Sequence, residues 1–422
     1  MTSTPVPTAP STTGTASAST ASAGTASAST AALLADAAAM LPDLQALRRT
    51  LHQHPETGLV LPVTQATVIA ALEGLGLEIT TGTETTSVIA ILRGATPGPT
   101  VLLRGDMDAL PLAEATELEY RATNGNMHAC GHDLHTAGLV GAARLLAARR
   151  DELVGDVLFM FQPGEESWAG ARIMIEEGLL QASGSLPVAA YALHVGPGVR
   201  GVFTSRVGPV MASSNSFYVT YRGAGGHGSS PWKLLDPVPA IAELTLALEN
   251  MITRRTDVFD PAVLSVTMLE GSKTRNIIPE TATLGATVRA HSIATLDIIE
   301  MECLRLAKGI GDAHGLVTEA EFSRVYPSTI NHETGIAAVT ASITDLFGAD
   351  KYATMPNPMM GSEDFSFVLE QVPGAFVMVG ASADDVNPED CPSNHSPYVE
   401  FDDQVLGDMS ALLAQLALTK LV

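Results

Sequence analysis

Residues 155–166 read GDVLFMFQPGEE, an apolar run that stops at Pro163-Gly164 and is followed at once by Glu165 and Glu166. A short apolar run bounded by glycine and proline reads as a buried strand. The same pattern recurs in TSVIAILRG, in TVLLRGDMDAL and in AAYALHVGP, with helical runs such as LHTAGLVGAARLLAARR between them. Strands alternating with helices predict an α/β layered domain with a mostly parallel sheet, whose ligands bind outside the carboxyl ends of the strands. Asp106, Asp108, Glu165, Glu166 and His194 all follow apolar strand-like runs, so they are expected at that edge.

From about Val210 the pattern changes. SNSFYVTYRG, AVLSVTMLEG and TATLGATVRA alternate like half-exposed strands, with helical runs PVPAIAELTLALENMITRR and TLDIIEMECLRLAKGIGDAHG among them. This β-α-β-β-α order predicts a smaller ferredoxin-like α+β module over 210–325. It interrupts a layered domain formed by 36–209 and 326–422. Residues 1–35 carry no charged side chain and repeat Ser, Thr, Ala, Pro and Gly. They are expected to form a disordered tail, because such a segment buries too little surface to offset the entropy of ordering. A helix is expected from about Leu33, ending near Pro55.

Composition narrows the function. Asp and Glu number 46 against 23 Lys and Arg, a net charge of −23. Such an acidic surface argues against nucleic acid or an anionic membrane as partner. No apolar run approaches the length that spans a bilayer. Three scattered cysteines, Cys130, Cys303 and Cys391, fit a reducing, cytoplasmic setting better than a disulfide framework.

Residues 127–138, MHACGHDLHTAG, hold one cysteine and three histidines within eight positions. Cys130 and His132 are two apart, and in an extended turn such residues point to one centre. Thiolate and imidazole together suit zinc or a similar divalent ion. A Cys-His nucleophile pair and a buried thiol beside a core histidine are the other readings of this segment. Asp133 and His135 are candidate supports for the His132 tautomer. At Glu165-Glu166, one carboxylate is suited to bind metal and the other to take a proton from water; a plain solvated pair is the alternative. His194 and His395 add donors on two further segments. GAGGHG at 223–228 formally matches a dinucleotide fingerprint, but Pro231 follows and no helix opens there. Neither a G-x-S-x-G elbow nor an H-E-x-x-H helix occurs.

Taken in order, LHQHPETG, RGDMDALPL, MHACGHDLHTAG, QPGEES, ALHVGP, GGHGSSP, NIIPETATLGATVRA, GSEDF and NHSP resemble the dinuclear-metal amidohydrolases. That family includes aminoacylases, hippurate hydrolase and auxin-conjugate hydrolases. The resemblance runs from about Leu41 to the C-terminus. It implies two divalent ions per subunit, zinc or manganese, with cobalt and nickel as further candidates. It implies Cys130, His132, Glu166, His194 and His395 as ligands, Glu165 as general base and Asp108 as support. It also implies His227, Asn276 and Arg289 as substrate-facing residues, and a homodimer formed through the inserted lid module, with His227 reaching a partner's site. The implied reaction is hydrolysis of the amide of a small N-acyl amino acid by a metal-activated water. Carboxypeptidase or dipeptidase action on the same site is the alternative, and a catalytically silent binding protein is a third reading. Trp168 stands where relatives often carry glycine; it is expected either to shape the acyl pocket or to pack beneath the helix that follows.

Overall fold

The computed structural model describes residues 20–422, with side chains from Ser29 onward. An eight-stranded sheet lies at its centre, with strands in the order Glu78–Thr81, Val88–Arg93, Val154–Gln162, Thr96–Asp106, Ala189–Val199, Gly374–Ser382, Phe203–Ser205 and Tyr352–Thr354. The four middle strands run parallel, and antiparallel pairings appear only towards the two sides. The sheet is buried on both faces, which explains why its strands read as continuous apolar runs instead of alternating ones. Helices Thr20–Gln53, His132–Ala147, Glu333–Phe347 and Leu406–Leu421 contribute to the core on one face. Gly170–Glu176 and Ser366–Leu369 pack on the other.

The first helix begins earlier than the sequence suggests. Residues 1–19 of the expected tail lie outside the described residues. The remainder belongs to helix Thr20–Gln53, and Leu33 and Ala37 in it are almost wholly buried. Alanine carries the highest helix propensity, and residues four apart share a helix face. A polar-looking Ala/Ser run therefore extends a helix whose next two turns are anchored in the core.

The chain leaves the large sheet after Phe203–Ser205 and returns through Thr329–Asn331, which pairs antiparallel with the outgoing Gly208–Met211. Between these two connectors lies a four-stranded antiparallel sheet in the order Ala262–Glu270, Thr281–Ala290, Ser214–Arg222, Val317–Tyr326. Helices Pro237–Arg255 and Ile293–Ala313 complete it. The closing strand Val317–Tyr326, polar and largely exposed, is absent from the strand pattern read from sequence and turns the module into a full β-α-β-β-α-β unit. Its core is separate from that of the large sheet. Ser214–Arg222 alternates, with Phe217, Val219 and Tyr221 buried, because one face meets helices and the other meets solvent.

Candidate metal centre and its cavity

The site is built where the middle strands end. Asp106 closes Thr96–Asp106, and Asp108 lies two residues beyond. The Asp108 carboxylate accepts the backbone N–H groups of Glu165 and Glu166, each at 3.0 Å. It thereby sets the turn that carries both glutamates. The Tyr326 hydroxyl donates to the Glu165 carbonyl at 2.8 Å and fixes the same turn from the inserted module's last strand.

Cys130 does not sit in an extended turn with His132. Gly131 adopts a left-handed conformation, φ 86°, and His132 opens helix His132–Ala147. A Cβ at Gly131 would meet Val195 Cγ2 at 2.3 Å, so the turn demands glycine on both counts. The tight turn brings the thiol and imidazole together all the same. His194 also differs from its expected place, since strand Ala189–Val199 continues five residues beyond it. His395 is held in a loop at φ 69°, its N–H bonded to the Ala129 carbonyl at 2.9 Å. Among the described residues only Ser167, Ala169 and His395 combine a side chain with positive φ. All three flank this site, where such strain concentrates in functional proteins.

The donors converge on Cys130. Its Sγ is 3.4 Å from His194 Nε2 and 3.3 Å from His395 Nε2. Two donor sets share it, Cys130–His132–His194 and Cys130–Glu166–His395, each with ligand atoms within 4.8 Å. His132, Glu165 and Glu166 form another such set. His194 Nδ1 is engaged by the Val195 carbonyl at 2.8 Å, which leaves Nε2 with a free lone pair aimed at the cluster. Among the described residues, neither ring nitrogen of the fully buried His132 has a hydrogen-bond partner. They lie 3.5 Å from Asp106 and Asp108 oxygens, too far for a good bond. Glu166 Oε1 sits 2.9 Å from His395 Nε2, an ion-pair distance, with no other partner among the described residues. Unpartnered buried imidazole and carboxylate atoms are costly unless something else satisfies them. Sulfur, nitrogen and oxygen donors clustered around one point fit divalent cations.

Burial works to raise the Cys130 thiol, but the imidazoles of His194 and His132 overcome it and hold the thiol well below its usual value. Glu165 moves the other way. Burial, followed by the charges of Glu363, Glu166 and Asp364, pushes it well above the carboxylate range.

Other expected residues fall elsewhere. Asp133 does not support His132. Its carboxylate points away to Arg48 Nε at 2.6 Å and His52 Nδ1 at 2.8 Å, because consecutive helical residues diverge by about 100°. His135 does not bond His132 either: its Nδ1 meets Asp106 at 2.6 Å while its Nε2 accepts the Val195 N–H at 2.8 Å. Trp168 lies outside the cavity. It is 57% exposed and rests against Gly58, while Ser167 faces inward. The reversed backbone at Ser167 and Ala169 turns the indole outward.

Arg289 lines the cavity; among the described residues its guanidinium bonds only Thr287 Oγ1 and the Val288 carbonyl, and burial lowers its pKa. His227 and Asn276 stand together, the Gly228 N–H bonding the Asn276 carbonyl at 2.8 Å. Both are exposed and neither lines the metal cavity of its own chain. Sequence reasoning did not assign the buried base of the site. Arg104 there meets Asp106 at 2.5 Å, Glu363 at 2.7 Å and Gln162 at 2.9 Å. The motifs RGDMDAL and GSEDF contain these groups, but nothing local says that residues about 260 apart are neighbours.

The profile of peptidase family M20/M25/M40 matches residues 102–419. The chain belongs to this family. It is 34% identical over 377 residues to an IAA-amino acid hydrolase of Arabidopsis thaliana, covering 88% of this chain and 85% of that one. It is 33% identical over 388 residues to the hippurate hydrolase of Campylobacter jejuni, covering 92% and 98%. A thermostable carboxypeptidase of Saccharolobus solfataricus is 34% identical over 340 residues, covering 79% and 84%. A dinuclear metal-binding M20 peptidase of Bacillus subtilis superposes with a TM-score of 0.77 at 32% identity, covering 90% and 98%. An aminohydrolase structure from Staphylococcus aureus reaches 0.87 at 29%, covering 92% and 99%. This M20 chain is therefore an amidohydrolase with a cluster of metal-type donors at the strand ends. Among the described residues no helix is long and apolar enough to cross a membrane.

Replacing Cys130 tests the cluster directly. Cys130→Ser exchanges a soft thiolate for a poor ligand, so zinc affinity is expected to fall more than manganese affinity. Unchanged metal content after dialysis would return Cys130 to the role of a buried thiol.

Proposed function

We propose that this enzyme hydrolyses the amide bond of small N-acyl amino acids. Glu165 acts as general base, and Cys130, His132, Glu166, His194 and His395 hold two divalent ions, zinc or manganese. The reading rests chiefly on Glu165, a buried carboxylate of raised pKa beside the metal-type donors, in a cavity whose arginine, Arg289, has no acidic partner among the described residues. When bound, the ions would supply Lewis acidity towards the scissile carbonyl and acidify a water. Glu165 then takes the water's proton and returns it to the leaving nitrogen. Arg289 offers its guanidinium to the carboxylate of the amino-acid portion. Asp108 and Tyr326 keep the Glu165 turn in place through the backbone contacts described above. Turnover of N-acetyl and N-benzoyl amino acids, measured against a dipeptide panel with each metal, tests the assignment. Preference for dipeptides would favour peptidase action on the same site, the reading that the carboxypeptidase relative supports.

His227 and Asn276 complete the proposal. Their absence from the cavity lining of their own chain supports a role across a two-fold dimer formed by the inserted module. Edge strand Ala262–Glu270 and its surroundings expose Leu269, Phe259 and Leu246, and an uncovered edge strand is a pairing surface. Mixing Glu165→Gln with His227→Ala subunits, each inactive alone, is expected to restore activity, because a mixed dimer rebuilds one complete site. No recovery despite proven subunit exchange would leave closure within one chain as the better account.

A further inference from the structure

The cavity at the metal centre has a volume of about 460 Å³, within the range of roughly 300–1,000 Å³ typical of small-molecule sites. Its lining divides sharply by chemistry. It holds the donor groups around Cys130, the guanidinium of Arg289, the ring of Tyr326, four short polar side chains (Ser167, Ser362, Ser393 and Asn394) and four methionines. Every aliphatic side chain in the lining is a methionine, namely Met211, Met359, Met360 and Met378; no leucine, isoleucine or valine contributes. The four come from separate parts of the fold. Met378 pairs in register with His194 in the large sheet. Met211 ends the connector that leads to the inserted module, and Met359 bridges to it, the Met359 N–H bonding the Val210 carbonyl at 2.9 Å. Met360 is 39% exposed at the rim. Ordinary apolar pockets mix branched aliphatic and aromatic groups. Methionine differs from these in being unbranched, flexible and polarizable, so a surface made of it re-forms around groups of different shape.

We infer that this methionine wall is the specificity element of the site: it selects a substrate with a sizeable non-polar acyl group and tolerates variation in the shape of that group. The inference rests on the amidohydrolase reading for the orientation of the substrate. With the carboxylate at Arg289 and the scissile carbonyl at the donor cluster, the acyl substituent is the part left for the wall. An acetyl group is too small to cover it, and a second carboxylate there would lose its hydration against thioethers without gaining a partner.

The test uses N-acetyl, N-hexanoyl, N-benzoyl and N-succinyl derivatives of one amino acid. Metal-loaded Glu165→Gln protein gives binding constants by calorimetry, and the wild type gives kcat/KM. Hexanoyl and benzoyl derivatives are expected to bind within about threefold of each other, and each at least about tenfold more tightly than the acetyl and succinyl derivatives. The Met211→Leu/Met378→Leu pair, similar in volume but branched and stiffer, is expected to open the hexanoyl-to-benzoyl gap to about tenfold. Equal binding of acetyl and benzoyl derivatives overturns the inference. So does an unchanged spread in the double variant at unchanged melting temperature. Should that variant unfold, Met360→Leu at the exposed rim carries the same comparison. Tight, shape-tolerant binding without any hydrolysis by the wild type would reject the amidohydrolase reading and leave the wall standing.

Discussion

Glu165→Gln is expected to lower kcat by about 10²–10⁴-fold, the usual contribution of a general base, while metal content stays at the wild-type level. The side chain keeps its size, and the turn that carries it is held through the backbone, by Asp108 on the amide and Tyr326 on the carbonyl. What disappears is a carboxylate able to accept a proton. The charge change has a second consequence. In the metal-free protein Glu165 is buried near Glu363, Glu166 and Asp364, which raises its pKa. A carboxyl group whose pKa is higher folded than unfolded favours folding below the unfolded value, and that contribution is lost as pH rises through the folded one. Keeping this carboxyl in the metal-free fold at neutral pH therefore costs stability, and the amide relieves that cost. Metal-free Glu165→Gln should melt no lower than metal-free wild type at pH 7. Kinetics, metal analysis and a melting curve on one preparation check all three statements. Near wild-type kcat would remove Glu165 from the reaction.

Arg104→Met is expected to cost about 3–5 kcal/mol of stability, the usual result of removing one partner from a buried charge group. The guanidinium is wholly buried and faces Asp106, Glu363 and Asp364. Methionine fills much of the space but leaves those carboxylates without their cation. Burial and Glu363 already push Asp364 up to about 8 with the arginine present. Asp106 also orients His135 and lies beside His132, so metal affinity should fall together with stability. Urea unfolding and metal titration of the purified variant measure the two effects. A loss below about 1 kcal/mol would mean that the carboxylates take up protons and need no counterion.

Much of this protein was legible in its sequence because the signals are local. A strand buried on both faces must be apolar throughout, so TVLLRGD and GDVLFMFQ announced a parallel sheet and the edge where its ligands gather. Alternation at SNSFYVTYRG marked a sheet with one wet face, and hence a second module. The donor-bearing segments could be named because thiol, imidazole and carboxylate groups are rare in such density. Other features depended on distance and direction, which sequence does not carry. The direction of a side chain on a helix separated Asp133 from its neighbour His132 and sent it to Arg48. Two reversed backbone angles turned Trp168 outward. Chain reversal over about 260 residues put Glu363 against Arg104, and a bridge between Met211 and Met359 helped gather scattered methionines around one cavity. The sequence by itself determined which chemistry was present and where strands would stop, since both follow from residue type and short-range period. Only the tertiary structure decided which groups share a site, because burial, charge compensation and cavity shape arise between segments that the chain holds far apart.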